Sequence, residues 1–190
     1  MKIIETARIL FNRHGFDSVT IEMIMSASGL THGGFYNHFK NKEALHSEAI
    51  SSFLMGRGLK WRTEAGIDSR SPDPEMARQM VNSYLSTKHL GDLDGQCPMI
   101  ALSSDIARAS NTVQSSYQEL LEAMVWLFET SIKSSPNSEA NPTEIRSKAL
   151  SLAALCVGGM ILARTLPNSK LAEEVRAASH LSAMEITSNC

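Results

Sequence analysis

Apolar residues along this 190-residue chain recur at three- and four-residue intervals, and no stretch alternates apolar with polar over several positions. That pattern predicts an all-α fold of about nine helices. Ile3, Ile4, Ala7, Leu10 and Phe11 form the stripe of a first helix that His14-Gly15 ends. Thr20 is placed to cap a short second helix, Ile21 to Ala27, which stops at Gly29, and Thr31 opens a third through Phe39. Asn41 caps a fourth, striped by Ala44, Leu45, Ala49, Ile50, Phe53 and Leu54 and expected to weaken at Gly56 or Gly58. Asp73-Pro74-Glu75 starts a fifth reaching about His89, and Pro98 a sixth ending near Arg108. Asn111 caps a long seventh with Val113, Tyr117, Leu120, Leu121, Met124, Leu127 and Phe128 on one broad face. Ser134 to Pro142, rich in Ser, Asn and Pro, reads as a loop, and Asn141-Pro142-Thr143-Glu144 caps an eighth helix. Leu166-Pro167 ends that helix, and a ninth fills Lys170 to about Ile186.

Composition narrows the class. With 43% hydrophobic and 20% charged residues the chain can bury a core, which excludes wholesale disorder. Cys97, Cys156 and Cys190 are widely spaced and form no C-x-x-C, so neither a disulfide scaffold nor a zinc site is expected, and no metal or cofactor. The apolar run Ala149 to Ala163 is shorter than the roughly 20 residues of a membrane span, and the N-terminus does not read as a signal peptide. A cytoplasmic protein without a membrane partner is the expectation. Net charge is only −2, but residues 1–60 carry seven Lys+Arg against five Asp+Glu and hold four of the six histidines. The other 130 residues carry 11 basic against 15 acidic side chains, so the asymmetry points to a nucleic-acid-facing N-terminal module on an acidic body. No G-x-S-x-G elbow, H-E-x-x-H helix, Walker loop or G-x-G-x-x-G turn is present, which argues against an enzyme.

Two short helices around Ser28-Gly29-Leu30 have the proportions of a helix-turn-helix, whose second helix enters a DNA major groove. Apolar Ile21, Ile24, Leu30, Phe35 and Phe39 are expected to seat them on the first helix, leaving Thr31, His32, Gly33, Gly34, Tyr36, Asn37 and His38 outward. A bundle corner of an ordinary all-α protein has the same outline. The string Gly29 to Leu45, GLTHGGFYNHFKNKEAL, with Ala7, Phe11, Gly15, Phe16 and Thr20 upstream, resembles the signature of tetracycline-repressor-like (TetR) transcriptional regulators. The resemblance covers roughly the first 50 residues. It implies a homodimer that binds double-stranded DNA at a near-palindromic operator, through residues 1–48, and a ligand-binding and dimerisation domain, 49–190. It also implies roles: Tyr36 and Lys42 on the phosphate backbone, Thr20 capping the second helix close to the phosphates, and Thr31, His32, Gly34 and Asn37, with His38, facing the groove. The sequence departs from the family where His32-Gly33-Gly34 replaces a frequent Lys-Gly-Thr, and at Met25 and Ser28, where smaller residues are usual.

For the body, the resemblance implies a pocket for a small apolar or aromatic inducer. Candidates are Trp61, Met80, Tyr84, Met99, Leu102, Ser103, Ile106, Tyr117, Leu121, Met124 and Phe128, in an interior that ten methionines make deformable. Tyr84, Tyr117, Ser103 and His89 are the polar groups able to orient a ligand. At helical spacing the same residues also describe a plain core. The eighth helix is apolar nearly all round and needs cover on every side. Leu152, Cys156, Gly159, Met160 and Ala163, with Val175, Ala178 and Leu181 of the ninth, are the expected dimer interface. Cys97, at the start of the sixth helix, is a candidate sensor thiol, as in family members that respond to oxidants or electrophiles. The functional expectation is a ligand-responsive repressor. The alternatives are a helical adaptor or relative with altered DNA binding, and a cysteine-based redox or electrophile sensor acting on transcription.

Overall fold

The computed structural model describes residues 2–135 and 141–188; Cys190 and the middle of the Ser134 to Pro142 loop lie outside them. Among the described residues there is no strand, and the elements are eleven α-helices and one 3-10 helix. They are α1 (Lys2–His14), α2 (Ile21–Ala27), the 3-10 helix (His32–Asn37), α3 (Lys42–Met55), α4 (Arg57–Glu64), α5 (Met76–Tyr84), α6 (Thr87–Gly91), α7 (Pro98–Ala101), α8 (Ser103–Ile106), α9 (Asn111–Lys133), α10 (Pro142–Thr165) and α11 (Lys170–Ser188). Expected caps are in place: the side chains of Thr20, Asn41 and Asn141 accept from the amides of Met23, Ala44 and Glu144. Asn111 instead lies inside its helix.

The count exceeds nine because three expected helices are broken. The fourth divides at Gly56, where ψ reaches −111°. The fifth stops at Tyr84, and the Ser86 hydroxyl accepts from the His89 amide to start α6. The sixth divides at Leu102, with φ −124° and ψ 7°.

The chain forms two compact units, Met1–Gly58 with Asp92–Leu120, and Leu59–Gly91 with Leu121–Cys190. Residues 92–106 join the first unit through ties to α1, to the turn that follows it and to the first residue of α4. Arg8, buried to 3% exposure, donates to the Asp94 carbonyl at 2.6 Å and pairs with Glu5; Asn12 donates to the Gln96 carbonyl at 2.8 Å. Arg13 pairs with the Asp94 carboxylate and Arg57 with Asp92. Ala7, Phe11, Ile24, Met25, Phe35, Phe39, Leu45 and Ala49 supply the apolar core of this unit.

In the second unit α10 and α11 form a helical hairpin through the Leu166–Ser169 turn, and α11 packs on α5. A Cβ on Gly159 would lie under 3 Å from the Ser179 side chain, so this glycine is where the two helices approach closely. Arg176 donates to the Leu85 carbonyl, and His180 Nε2 meets Asn82 Oδ1 at 2.7 Å. By length and composition α10 would be able to cross a membrane, but its buried side packs on α11, α5 and α6.

Candidate nucleic-acid interface

Phe35 and Phe39 are fully or nearly buried, four residues apart, and fix which side of the intervening chain faces inward. Thr31, His32, Gly33, Tyr36, Asn37 and His38 are exposed, and Gly34 is half-buried. Tyr36 is 60% exposed; its ring meets Phe35 edge-on, 5.2 Å between centroids, which holds the ring while the hydroxyl stays outside. The Thr31 side chain makes no capping bond, and the His32 and Tyr36 rings stand 6.1 Å apart. The outward set expected from the sequence is therefore present on one short row.

The row is wound as a 3-10 helix, tighter than an α-helix. Gly29 closes the turn before it at φ +73°, a conformation that disfavours a side chain. Met25 fills the space beneath Gly34, its Cε 3.7 Å from where a Cβ would stand, and nothing lies within 4 Å of that position on Gly33. Crowding thus does not require either glycine. Leu30 departs from expectation: it is 47% exposed, directly after the turn at Gly29.

Lys42 has a role the sequence did not reveal. Its ammonium donates to the carbonyls of Phe16 and Val19 at 2.7 and 2.8 Å and sits 4.1 Å over the Phe16 ring. Partial burial lowers its pKa and Asp17 offsets part of the effect. Below, the Phe16 ring stacks on His46 at 4.5 Å and 17°. Burial brings the His46 pKa down to about 4, with Asp105 opposing and Lys42 reinforcing. Both His46 ring nitrogens are buried without a hydrogen-bond partner, as is the Ser28 hydroxyl.

The pocket candidates are divided between the units. Met99, Leu102, Ser103, Ile106 and Tyr117 belong to the first, and Trp61, Met80, Tyr84, Leu121, Met124 and Phe128 to the second. Met99, Leu102, Ile106, Met80, Met124 and Phe128 are buried. The Tyr117 hydroxyl donates to the Met99 carbonyl at 3.3 Å, and burial raises its pKa to about 12. Trp61, Tyr84 and His89 form a triad of rings with centroids 4.8–5.9 Å apart, and His89 Nδ1 bonds the Tyr84 carbonyl. A cleft of about 180 Å³ lies elsewhere in the second unit, lined by Pro74, Arg78, Ser131, Ile132 and Thr187 among others.

Of the expected dimer face, Leu152, Cys156, Gly159, Met160 and Ala163 are buried within the single chain. Leu150, Ala154 and Leu162 are the exposed apolar residues of α10, and Leu171, Ala178 and Leu181 those of α11; Val175 is half-buried. A helix apolar on every side gives no phase from which to choose its inner face. Cys97 stands at the start of α7 as expected but is only 2% exposed, and burial pushes the Cys156 thiol up.

Residues 3–49 match the family model described as bacterial regulatory proteins, tetR family. The uncharacterized HTH-type transcriptional regulator YerO of Bacillus subtilis is 34% identical over 80 residues, 42% of this chain and 28% of that protein. The transposon Tn10 TetC protein of Escherichia coli is 44% identical over 53 residues, 28% of this chain and 27% of that one. The chain thus spans well under half the length of these two curated relatives. Among solved structures, the reduced form of E. coli NemR superposes with a TM-score of 0.77 over 97% of this chain and 94% of its own, at 15% identity, which is a likeness of fold.

Proposed function

We propose that this chain, whose residues 3–49 match the tetR family of bacterial regulatory proteins, is a ligand-responsive repressor, acting in the cytoplasm as a homodimer on a near-palindromic operator. The observation that carries the reading is the exposed row Thr31, His32, Tyr36, Asn37 and His38 over buried Phe35 and Phe39. Tyr36, with Thr20 near the start of α2, meets phosphates; Thr31, His32, Asn37 and His38 reach base edges, and Gly34 admits the duplex closely. Lys42 adds positive charge at the start of α3 while bracing the turn beside it.

Dimerisation uses the outward side of the α10–α11 hairpin, where Leu150, Leu162, Leu171 and Leu181 are 45 to 64% exposed in the single chain. Two copies then present recognition rows to half-sites about 34 Å apart. The inducer is a small apolar or aromatic molecule held in the second unit near Trp61, Tyr84 and His89. It acts by preferring one of two conformations. The test is a gel shift with the protein's own upstream DNA across 50–200 mM salt, followed by selection from a genomic pool. Retention of one enriched near-palindrome, released by a compound that also raises Tm, supports the reading. Absence of binding to every duplex rejects it.

A further inference from the structure

Asp105 lies on α8, some 60 residues beyond the helix-turn-helix, yet its carboxylate reaches the turn that joins α1 to α2. We propose that Asp105 is a positioning residue for DNA binding, acting through Phe16 and Lys42 without touching DNA; this rests on the DNA-binding reading above. Asp105 Oδ2 accepts from the Phe16 amide at 2.9 Å, and its Oδ1 is held by Arg108 at 3.1 Å. The carbonyl of the same Phe16 accepts from Lys42, as does that of Val19. Thr20, the next residue, caps α2. The turn is therefore gripped from two sides, its N–H by an acid on α8 and its carbonyls by a base on α3.

Gly15 makes the first grip possible. Its φ is +77°, and a Cβ there would stand 3.1 Å from Asp105 Oδ2, so both backbone and clearance favour glycine. Taking away the carboxylate leaves the Phe16 N–H without its acceptor and the turn held from α3 alone. The Lys42 ammonium and the N-terminus of α2 then lose their common reference. Because both belong to the phosphate-facing side, the loss is uniform across DNA sequences.

The experiment measures duplex binding by fluorescence anisotropy for the full-length protein, with circular dichroism at the assay temperature. Asp105→Ala is expected to bind both operator and random duplex ~10-fold more weakly, the equivalent of one lost hydrogen bond to a charged group. Asp105→Asn, which keeps an acceptor oxygen in place, should stay within about 3-fold of wild type. In a Lys42→Met background the cost of Asp105→Ala should shrink below about 3-fold, because the residue acts through the lysine. A purely structural role would not move that coupling. Undiminished binding by folded Asp105→Ala, or costs that multiply in the double variant, would overturn the proposal. If Asp105→Ala does not fold, Asp105→Glu, which keeps the charge and displaces the oxygen, decides: weakened binding supports it and unchanged binding overturns it. Wild-type protein that binds no duplex overturns the functional reading as well, so the two failures are distinct.

Discussion

The first and second units each turn outward a set of side chains that the chain itself does not use, and the two sets are chemical opposites. In the first, Thr31, His32, Tyr36, Asn37 and His38 are polar groups standing on buried phenylalanines. In the second, Leu150, Leu162, Leu171 and Leu181 stand outside a helical hairpin whose inner side is already filled. A hydrated, anionic partner suits the former and a second apolar surface the latter. The difference teaches that exposure alone does not mark a site; its chemistry against the local core does.

The strongest challenge to this contrast lies in the two sides of α10. Gly159→Glu drives a carboxylate against Ser179 and Leu85 inside one chain, and should destabilise the protein by about 4 kcal/mol or more, read as a lost or greatly lowered Tm. Leu162→Glu with Leu181→Glu, on the outer side, should leave Tm of the monomer intact while sedimentation reports monomer and operator affinity falls ~100-fold. A dimer that survives the outer pair would show that the exposed leucines serve something else.

The first unit can be probed by pH. His46 titrates near 4 when folded and near 6.5 in the unfolded chain, so between these values the unfolded state binds the extra proton. Stability is therefore full above about pH 6.5 and declines as pH falls toward 4, by on the order of 3 kcal/mol. His46→Phe should flatten that limb of the Tm–pH curve; an unchanged limb would assign the loss to carboxylates elsewhere. On the surface above it, Asn37→Ala should relax sequence preference by about 1–3 kcal/mol, while Tyr36→Phe weakens operator and random DNA alike. Equal loss of specificity in both would erase the distinction between base and phosphate contacts. The smallest effect belongs to Ser28→Ala, which removes a buried hydroxyl without a partner and should raise stability by up to about 1 kcal/mol, seen as a small rise in Tm.

Where a residue's role is local, the sequence displayed it. Thr20, Asn41 and Asn141 cap as their types and positions imply, and the Phe35–Phe39 spacing separates inside from outside for the whole recognition row. Roles that depend on distant chain were hidden. Nothing near Lys42 announces the Phe16 and Val19 carbonyls, and nothing near Asp94 announces α1 or near Asp105 the turn that follows it. The inner face of α10 was unreadable for another reason, since uniform apolarity has no phase. The breaks at Leu85 and Leu102 carry no glycine or proline at the break itself, and tertiary packing overrides a helical period that continues through them.

The division of the first unit into two stretches of chain also sets an order of assembly. Its N-terminal stretch, Met1–Gly58, is complete in sequence before residues 59–91 are made, yet Arg8, Asn12 and Phe16 wait for Asp94, Gln96 and Asp105. At roughly 5–20 residues per second, ribosomal synthesis delays those partners by several seconds. Until then the nascent helix-turn-helix has its apolar core and the Lys42 bonds but lacks its fastenings to Asp94, Gln96 and Asp105, and closing the unit means bridging a loop instead of extending a helix. The first unit thus finishes folding only after a further stretch of chain has emerged, and is completed after the second has begun.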